Sequence, residues 1–185
     1  SSGQLGDGTY TSGNLPQVVP TLSNMKTVAA SKRSVMAVAN SGEVYVWGNN
    51  TQGQLGTGNT AVINFPFLNA TLSNADSIAA GEDHFVILKN DGTVWTVGNN
   101  DYGQLGDGTL IGSNIPVQVS GLINVQAIGA GDFTSYAILS TGELLVWGNN
   151  GSGQLGLGDL NNRLVPTLSN LNNVVEAEGG ATHSV

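Results

Sequence analysis

Residues 79–109 read AAGEDHFVILKNDGTVWTVGNNDYGQLGDGT. Two short apolar runs, Phe85 to Leu88 and Val94 to Val97, flank Asp91-Gly92, the pattern of a tight β-hairpin. Glycine takes the positive φ that such a turn requires at little steric cost. Both runs are almost continuously apolar, which predicts strands buried on both faces. The stretch recurs as AASKRSVMAVANSGEVYVWGNNTQGQLGTGN over 29–59 and as GAGDFTSYAILSTGELLVWGNNGSGQLGLGD over 129–159.

The period is 50 residues. Gly-Gln-Leu-Gly stands at Gly3, Gln4, Leu5, Gly6; at Gly53, Gln54, Leu55, Gly56; at Gly103, Gln104, Leu105, Gly106; and at Gly153, Gln154, Leu155, Gly156. Pro16, Pro66, Pro116 and Pro166 keep the same register, as do Gly8, Gly58, Gly108 and Gly158. The chain is thus expected to form one partial β-propeller domain over 1–185, with units at 29–78, 79–128 and 129–177. Residues 1–28 belong to an earlier partial unit and 178–185 begin a further one. A weaker pair of strands is expected around 16–20 and 25–30, with counterparts at 66–70 and 75–80. No 12-residue stretch carries a helical apolar stripe free of glycine. Four short strands per unit with Gly- and Asn-rich turns indicate an all-β fold of propeller blades. A linear β-solenoid, the rival architecture, ordinarily uses shorter periods of roughly 20–30 residues.

Composition narrows the function. The 185 residues include 27 glycines and 21 asparagines, and only 10% are charged. Thirteen acidic and five basic residues give a net charge of −8. Nucleic-acid binding by backbone neutralisation requires clustered Lys and Arg, and an anionic membrane is disfavoured for the same reason. No apolar run approaches the roughly 18 residues of a membrane-spanning helix, so no direct membrane insertion is expected. With no cysteine there is neither a disulfide nor a thiolate metal site. The opening Ser1-Ser2-Gly3 lacks an initiator methionine and a signal-like segment, suggesting a processed, excised or partly represented chain.

The repeated residues read as framework. Leu5, Leu55, Leu105 and Leu155 are expected to plug the seams between blades, and the adjacent glutamines to bond turn backbone. Trp47 and Trp147 stand in register in the second strand of the hairpin. Trp95 is shifted by two positions, on the same face. His84 and His183 are equivalent, but Ser34 and Thr134 interrupt the set, favouring a structural hydrogen-bonding role over a metal ring. Asp7 and Asp107 suit turn caps better than a calcium ladder. Asn49, Asn69 and Asn150 fit the N-glycosylation pattern. No catalytic set, cofactor motif or phosphate loop emerges, so neither enzyme activity nor a cofactor is expected.

These copies resemble the regulator of chromosome condensation repeat family: a glycine–histidine segment, Asp-Gly, a Trp-Gly-Asn segment, then Gly-Gln-Leu-Gly. The resemblance covers essentially the whole chain and implies a seven-bladed propeller with strands shared across the closure. It marks His84 and His183 as the family's histidine, from which Ser34 and Thr134 depart. Relatives include a nucleotide exchange factor for a small GTPase and secreted bacterial propellers that inhibit β-lactamases. The repeat motif transfers no exchange-factor residue to this sequence, and fold alone does not choose among such functions.

At 50 residues per unit the chain amounts to about 3.7 units, which disfavours a closed four-blade ring. Further segments of the same propeller, or another copy, are expected to complete it. The leading functional reading is a noncatalytic scaffold binding a protein or other macromolecule through loops at 57–65, 107–115 and 157–165. Candidate contacts are Asn59, Ile63, Phe65, Leu110, Ile111, Leu160, Asn162 and Arg163; the acidic balance favours a basic protein partner. The alternatives are a structural subunit of an extracellular surface layer or filament, and a guanine-nucleotide exchange factor. Low charge with abundant Gly, Asn, Ser and Thr suits a bacterial protein located outside the cell or at its surface.

Overall fold

A computed structural model describes residues 2–19 and 21–185. Among these residues twelve strands form three separate four-stranded antiparallel sheets in simple meander order. The first blade contains β1 (Met25–Ala30), β2 (Ser34–Ala39), β3 (Val44–Gly48) and β4 (Ile63–Leu68). The second contains β5 (Ala75–Ala80), β6 (His84–Lys89), β7 (Val94–Gly98) and β8 (Ser113–Gln118). The third contains β9 (Val125–Gly131), β10 (Thr134–Leu139), β11 (Leu144–Gly148) and β12 (Arg163–Leu168). Among the described residues the one helical element is a single 3₁₀ turn at Ala70–Leu72.

The central hairpins form where the sequence places them. The Gly42 N–H bonds to the Ala39 carbonyl at 2.9 Å, the Ala39 N–H bonds to the Glu43 carbonyl at 2.9 Å, and Gly42 has φ +84°. This is a type I turn closed by a left-handed residue in a G1 bulge. Gly92 and Gly142 repeat it at φ +79° and +85°.

The continuously apolar central strands are explained by stacking. On one face of the first blade, Met36, Val38, Val44 and Val46 pack against Phe85, Ile87 and Val97 of the second. The other face of the second blade, through Val86, Leu88 and Val94, meets Ala137 and Trp147 of the third. Alternate residues therefore point to different neighbours, and both sets are removed from water. The first strands of adjacent blades lie against one another, β1 on β5 and β5 on β9, placing them on the inside of the arc. The fourth strands lie outermost, as edges. Pro66, Pro116 and Pro166 sit within them and delete a ladder donor, which discourages pairing with another chain.

Two strand positions differ from the sequence expectation. The fourth strand runs 63–68 rather than 66–70, because its ladder opens with Ile63 opposite Gly48 and closes with Leu68 opposite Tyr45. Residues 16–19 form no strand, and residue 20 lies outside the described residues. Each fourth strand pairs with the third strand of its own blade, and no strand precedes residue 16 among the described residues.

Leu55 is fully buried in the cluster that joins the first and second blades. Leu55→Ala is expected to lower stability by about 2–5 kcal/mol through lost burial and a residual cavity. Leu160→Ala, at an exposed site, should stay within about 0.5 kcal/mol. Urea-unfolding midpoints with an unchanged m-value are the check.

Candidate interaction surface

The strand directions put the β1–β2 and β3–β4 connections of each blade at one end, and the hairpin turns with the inter-blade connections at the other. The first end is called the loop end. Its shape is set by the fifty-residue motif. In each long loop the second asparagine of the Asn-Asn pair acts as a staple. Asn50, Asn100 and Asn150 each accept from the backbone N–H of the motif leucine at 2.9 Å. Their amide nitrogens donate to the carbonyls of Asn59, Thr109 and Asp159 at 2.8–3.1 Å. Gln54, Gln104 and Gln154 accept from the backbone N–H two residues earlier at 2.9–3.0 Å.

The motif of one unit also holds the next blade. Trp47 donates its indole N–H to the Gln4 carbonyl at 3.0 Å, and Trp147 donates to the Gln104 carbonyl at 2.9 Å. Gly6 and Gly106 are needed there: a Cβ on either would lie 2.8 Å from the indole nitrogen. Between the first two blades Val97 replaces tryptophan and approaches Gly56. Trp95 is half-buried, bonds Thr93, and lies 4.5 Å beneath the Lys89 ammonium. The turns then reach the next outer strand: the N–H groups of Gly8, Gly58 and Gly108 donate to the carbonyls of Asn64, Asn114 and Leu164. Leu5 is half-buried, whereas Leu55, Leu105 and Leu155 are buried. Gly3, Gly53 and Gly103 are buried, whereas Gly153 is half-buried and Gly156 exposed.

The candidate contact residues divide between loop and strand. Asn59, Leu110, Ile111, Leu160 and Asn162 lie in the long loops and are exposed, Ile111 at 75%. Ile63, Phe65 and Arg163 belong to outer strands. Ile63 and Arg163 are half-buried, while Phe65 remains exposed at the blade edge. Arg163 is engaged by Asp159 at 2.7 Å, and this contact holds the Asp159 carboxyl below its usual range. Phe65, Ile115 and Val165 occupy the same outer position in successive blades and are all exposed. The Asp7 and Asp107 carboxylates close their own turns by accepting from Thr9 and Thr109. Asn49, Asn69 and Asn150 are buried, and their side chains are hydrogen-bonded within the fold. The folded domain therefore presents none of them as a glycan acceptor.

Sequence reasoning passed over one pair at the loop end. Tyr102, on the second blade's long loop, packs its ring on Phe133 of the third blade's β9–β10 turn, with centroids 5.1 Å apart and planes at 52°. The equivalent pairs at other seams are Ser2 with Arg33, Gln52 with Asp83, and Ser152 with Thr182. Their departure from the repeat was the available signal. On the axial side a cleft of about 290 Å³ is lined by Lys32, Glu82 and Asp132 among other residues; Lys32 pairs with Glu82 there. Among the described residues no three His, Cys, Asp or Glu side chains converge as a metal centre.

His84 lies wholly inside the seam between the second and third blades. Its Nε2 is 3.0 Å from Ser135 Oγ, and Ser135 in turn donates to the Gln104 carbonyl at 2.8 Å. Its Nδ1 has no hydrogen-bond partner. Burial pushes the imidazole down to about 4, opposed weakly by the Thr134 backbone. The neutral ring is thus the form the seam accepts.

Stacked four-stranded blades, joined by a motif reaching from one unit to the next, define a β-propeller repeat protein. The family model described as the regulator of chromosome condensation (RCC1) repeat matches residues 41–88, 91–138 and 141–185. A second model of that repeat matches 25–54, 75–104 and 125–154. The chain belongs to this family. Prp20p from Saccharomyces cerevisiae, in a structure concerned with its binding to Gsp1p and histones, is 24% identical with a TM-score of 0.80, over 89% of this chain and 43% of that one. Yeast RCC1 (Prp20), solved with Kap60 bound, is 23% identical with a TM-score of 0.84, over 100% and 47%. Human WBSCR16 is 19% identical with a TM-score of 0.62, over 100% and 65%. At these identities the likeness concerns the fold, and the chain spans less than half of either yeast chain. No curated protein gives a significant sequence match.

The buried histidine generates a pH dependence. Unfolded histidine titrates near 6.5, so the unfolded chain binds a proton that the native seam refuses. The stability this site contributes is fully present above that value and is lost as pH falls toward about 4. Between pH 7 and pH 5 the native protein should lose about 2 kcal/mol more than His84→Thr, a residue the equivalent position 134 already holds. Chemical denaturation at both pH values measures the difference.

Proposed function

We propose that this chain is part of a noncatalytic propeller scaffold that binds another protein through the loop end. The observation carrying this reading is the division of labour within each long loop. The staple asparagine, the glutamine and the buried leucine recur in the second and third blades as in the first, whereas the tips change. Positions 60 and 61 are Thr and Ala, 110 and 111 are Leu and Ile, and 160 and 161 are Leu and Asn. Large apolar side chains at exposed tips cost solubility and contribute nothing to the seams, so they suit contact with a partner. The yeast structures, which concern binding to Gsp1p, histones and Kap60, support a protein as partner on this fold. The low charge and polar turns favour a site of action outside the cell.

The test exchanges a loop tip while keeping its staple. Residues 107–111 of the native protein are replaced by the 57–61 sequence Thr-Gly-Asn-Thr-Ala, in which Asn59 and Thr57 already satisfy the equivalent asparagine. Proteins captured by the native protein are identified, and the exchanged variant is expected to lose the specific partner with an unchanged unfolding midpoint. Equal capture by both forms would remove the loop end from the function.

A further inference from the structure

The seam between the second and third blades differs in chemistry from its neighbours at the loop end. Tyr102 and Phe133 form a tilted aromatic pair there, and Tyr102 is 37% exposed. Asp101 precedes the tyrosine and Asp132 precedes the phenylalanine. Toward the axis, the Glu82 N–H donates to the Asp132 carbonyl at 2.9 Å, and both residues line the axial cleft. Toward the rim, Gly103 abuts Leu164, and the turn holding Asp107, Leu110 and Ile111 is bonded to the same outer strand. Acidic groups and exposed apolar groups thus occur together at the loop end of this seam.

The charges are unequally matched. Across residues 79–133 the loop end carries Glu82, Asp83, Asp101, Asp107 and Asp132 and no lysine or arginine of its own. Lys32 reaches in from the first blade to Glu82. Asp83 is turned to the preceding seam, where it accepts from Gln54 at 2.9 Å. Asp101 accepts from Asn99, and Asp107 from Thr109 and Asn100; all three donors are neutral and bring no compensating charge. Lys32 answers Glu82 and Arg163 answers Asp159, whereas Asp101, Asp107 and Asp132 form no ion pair among the described residues. Asp101 and Asp132 directly precede the two members of the Tyr102–Phe133 pair. A guanidinium or ammonium near an aromatic face gains from the ring quadrupole, and a neighbouring carboxylate adds to that gain.

We propose that this seam, centred on Tyr102 and Phe133, is the docking site for an extended protein segment in which arginine or lysine alternates with apolar side chains. The inference rests on the loop-end reading above and names its partner chemistry. The cationic side chain lies against the Tyr102–Phe133 pair between Asp101 and Asp132, and the apolar side chains meet Leu110 and Ile111. The other seams lack this chemistry, since their equivalent pairs hold no two aromatic residues.

The probe is a synthetic peptide, acetyl-Arg-Leu-Arg-Leu-Arg-Leu-amide, titrated into the native protein by calorimetry, with a Glu-for-Arg peptide as its partner control. Tyr102→Ser and Phe133→Thr install the residues of the next seam, and Glu43→Gln with Glu143→Gln removes two carboxylates from the opposite end. Saturable binding of the arginine peptide is expected, roughly tenfold weaker in either aromatic variant, weakened by added salt, and unchanged in the Glu43/Glu143 variant. The glutamate peptide should not bind. Absence of binding, equal affinity in the aromatic variants, or an equal loss in the Glu43/Glu143 variant would each overturn the proposal. So would binding to neutral phosphatidylcholine vesicles that depends on Tyr102 when the peptide does not bind. If exchange of residues 107–111 abolishes capture of a native partner while Tyr102→Ser and Phe133→Thr leave it intact, the loop-end function stands and this docking site falls. If neither change affects capture, both fall.

Discussion

Every blade depends on having its central hairpin covered from both sides. Strands such as β6, with Phe85 and Ile87 facing one neighbour and Val86 and Leu88 the other, have no polar face to give to water. A four-stranded sheet of this composition is stable only inside a stack. The stack in turn demands that something fill the wedge between sheets, and the Gly-Gln-Leu-Gly turn does so from the preceding unit. Its leucine enters the seam, while its glutamine carbonyl accepts the indole N–H of Trp47 or Trp147 in the next blade. Burying an indole N–H without an acceptor would cost about 1–3 kcal/mol, so the bond and the packing come as a pair.

The same constraint separates framework from variable surface. Positions tied to a seam have little chemical freedom, because each contacts two blades. The loop tips and the β9–β10 turn are tied at their bases by Asn100 and by strand pairing, which leaves their outer residues free to differ. This is how four nearly identical motifs give seams with Arg33, Asp83, Phe133 and Thr182 at one position. The fold thus supplies a rigid rim with separately adjustable contacts, a common arrangement in repeat proteins.

Much of this was legible in the sequence, for physical reasons. Asp91-Gly92 and its counterparts specify a hairpin locally, and apolar runs without alternation require two-sided burial. The outer strand was harder to place: its start is set by pairing with Gly48, Gly98 and Gly148 across a long loop, so Ile63 and Arg163 read as loop and proved to be strand. Phe65 is apolar yet exposed, because outer strands have only one neighbour. Asn49, Asn69 and Asn150 match the glycosylation tripeptide, a pattern that is blind to their burial. The Tyr102–Phe133 contact joins residues 31 apart on different blades, and no local pattern announces such a meeting.

Each seam is made by units adjacent in the chain, which has a consequence for how the molecule assembles. None of the three sheets among the described residues takes a strand from a distant segment, since each meander closes within about 45 residues and lies against the one before it. Order can spread from blade to blade like a zipper, with the middle sheet protected by both flanks. Damage at one seam should then fray the arc from that point outward and leave the blades beyond it paired. The repeat length therefore sets the grain at which this protein melts as well as the spacing of its contacts.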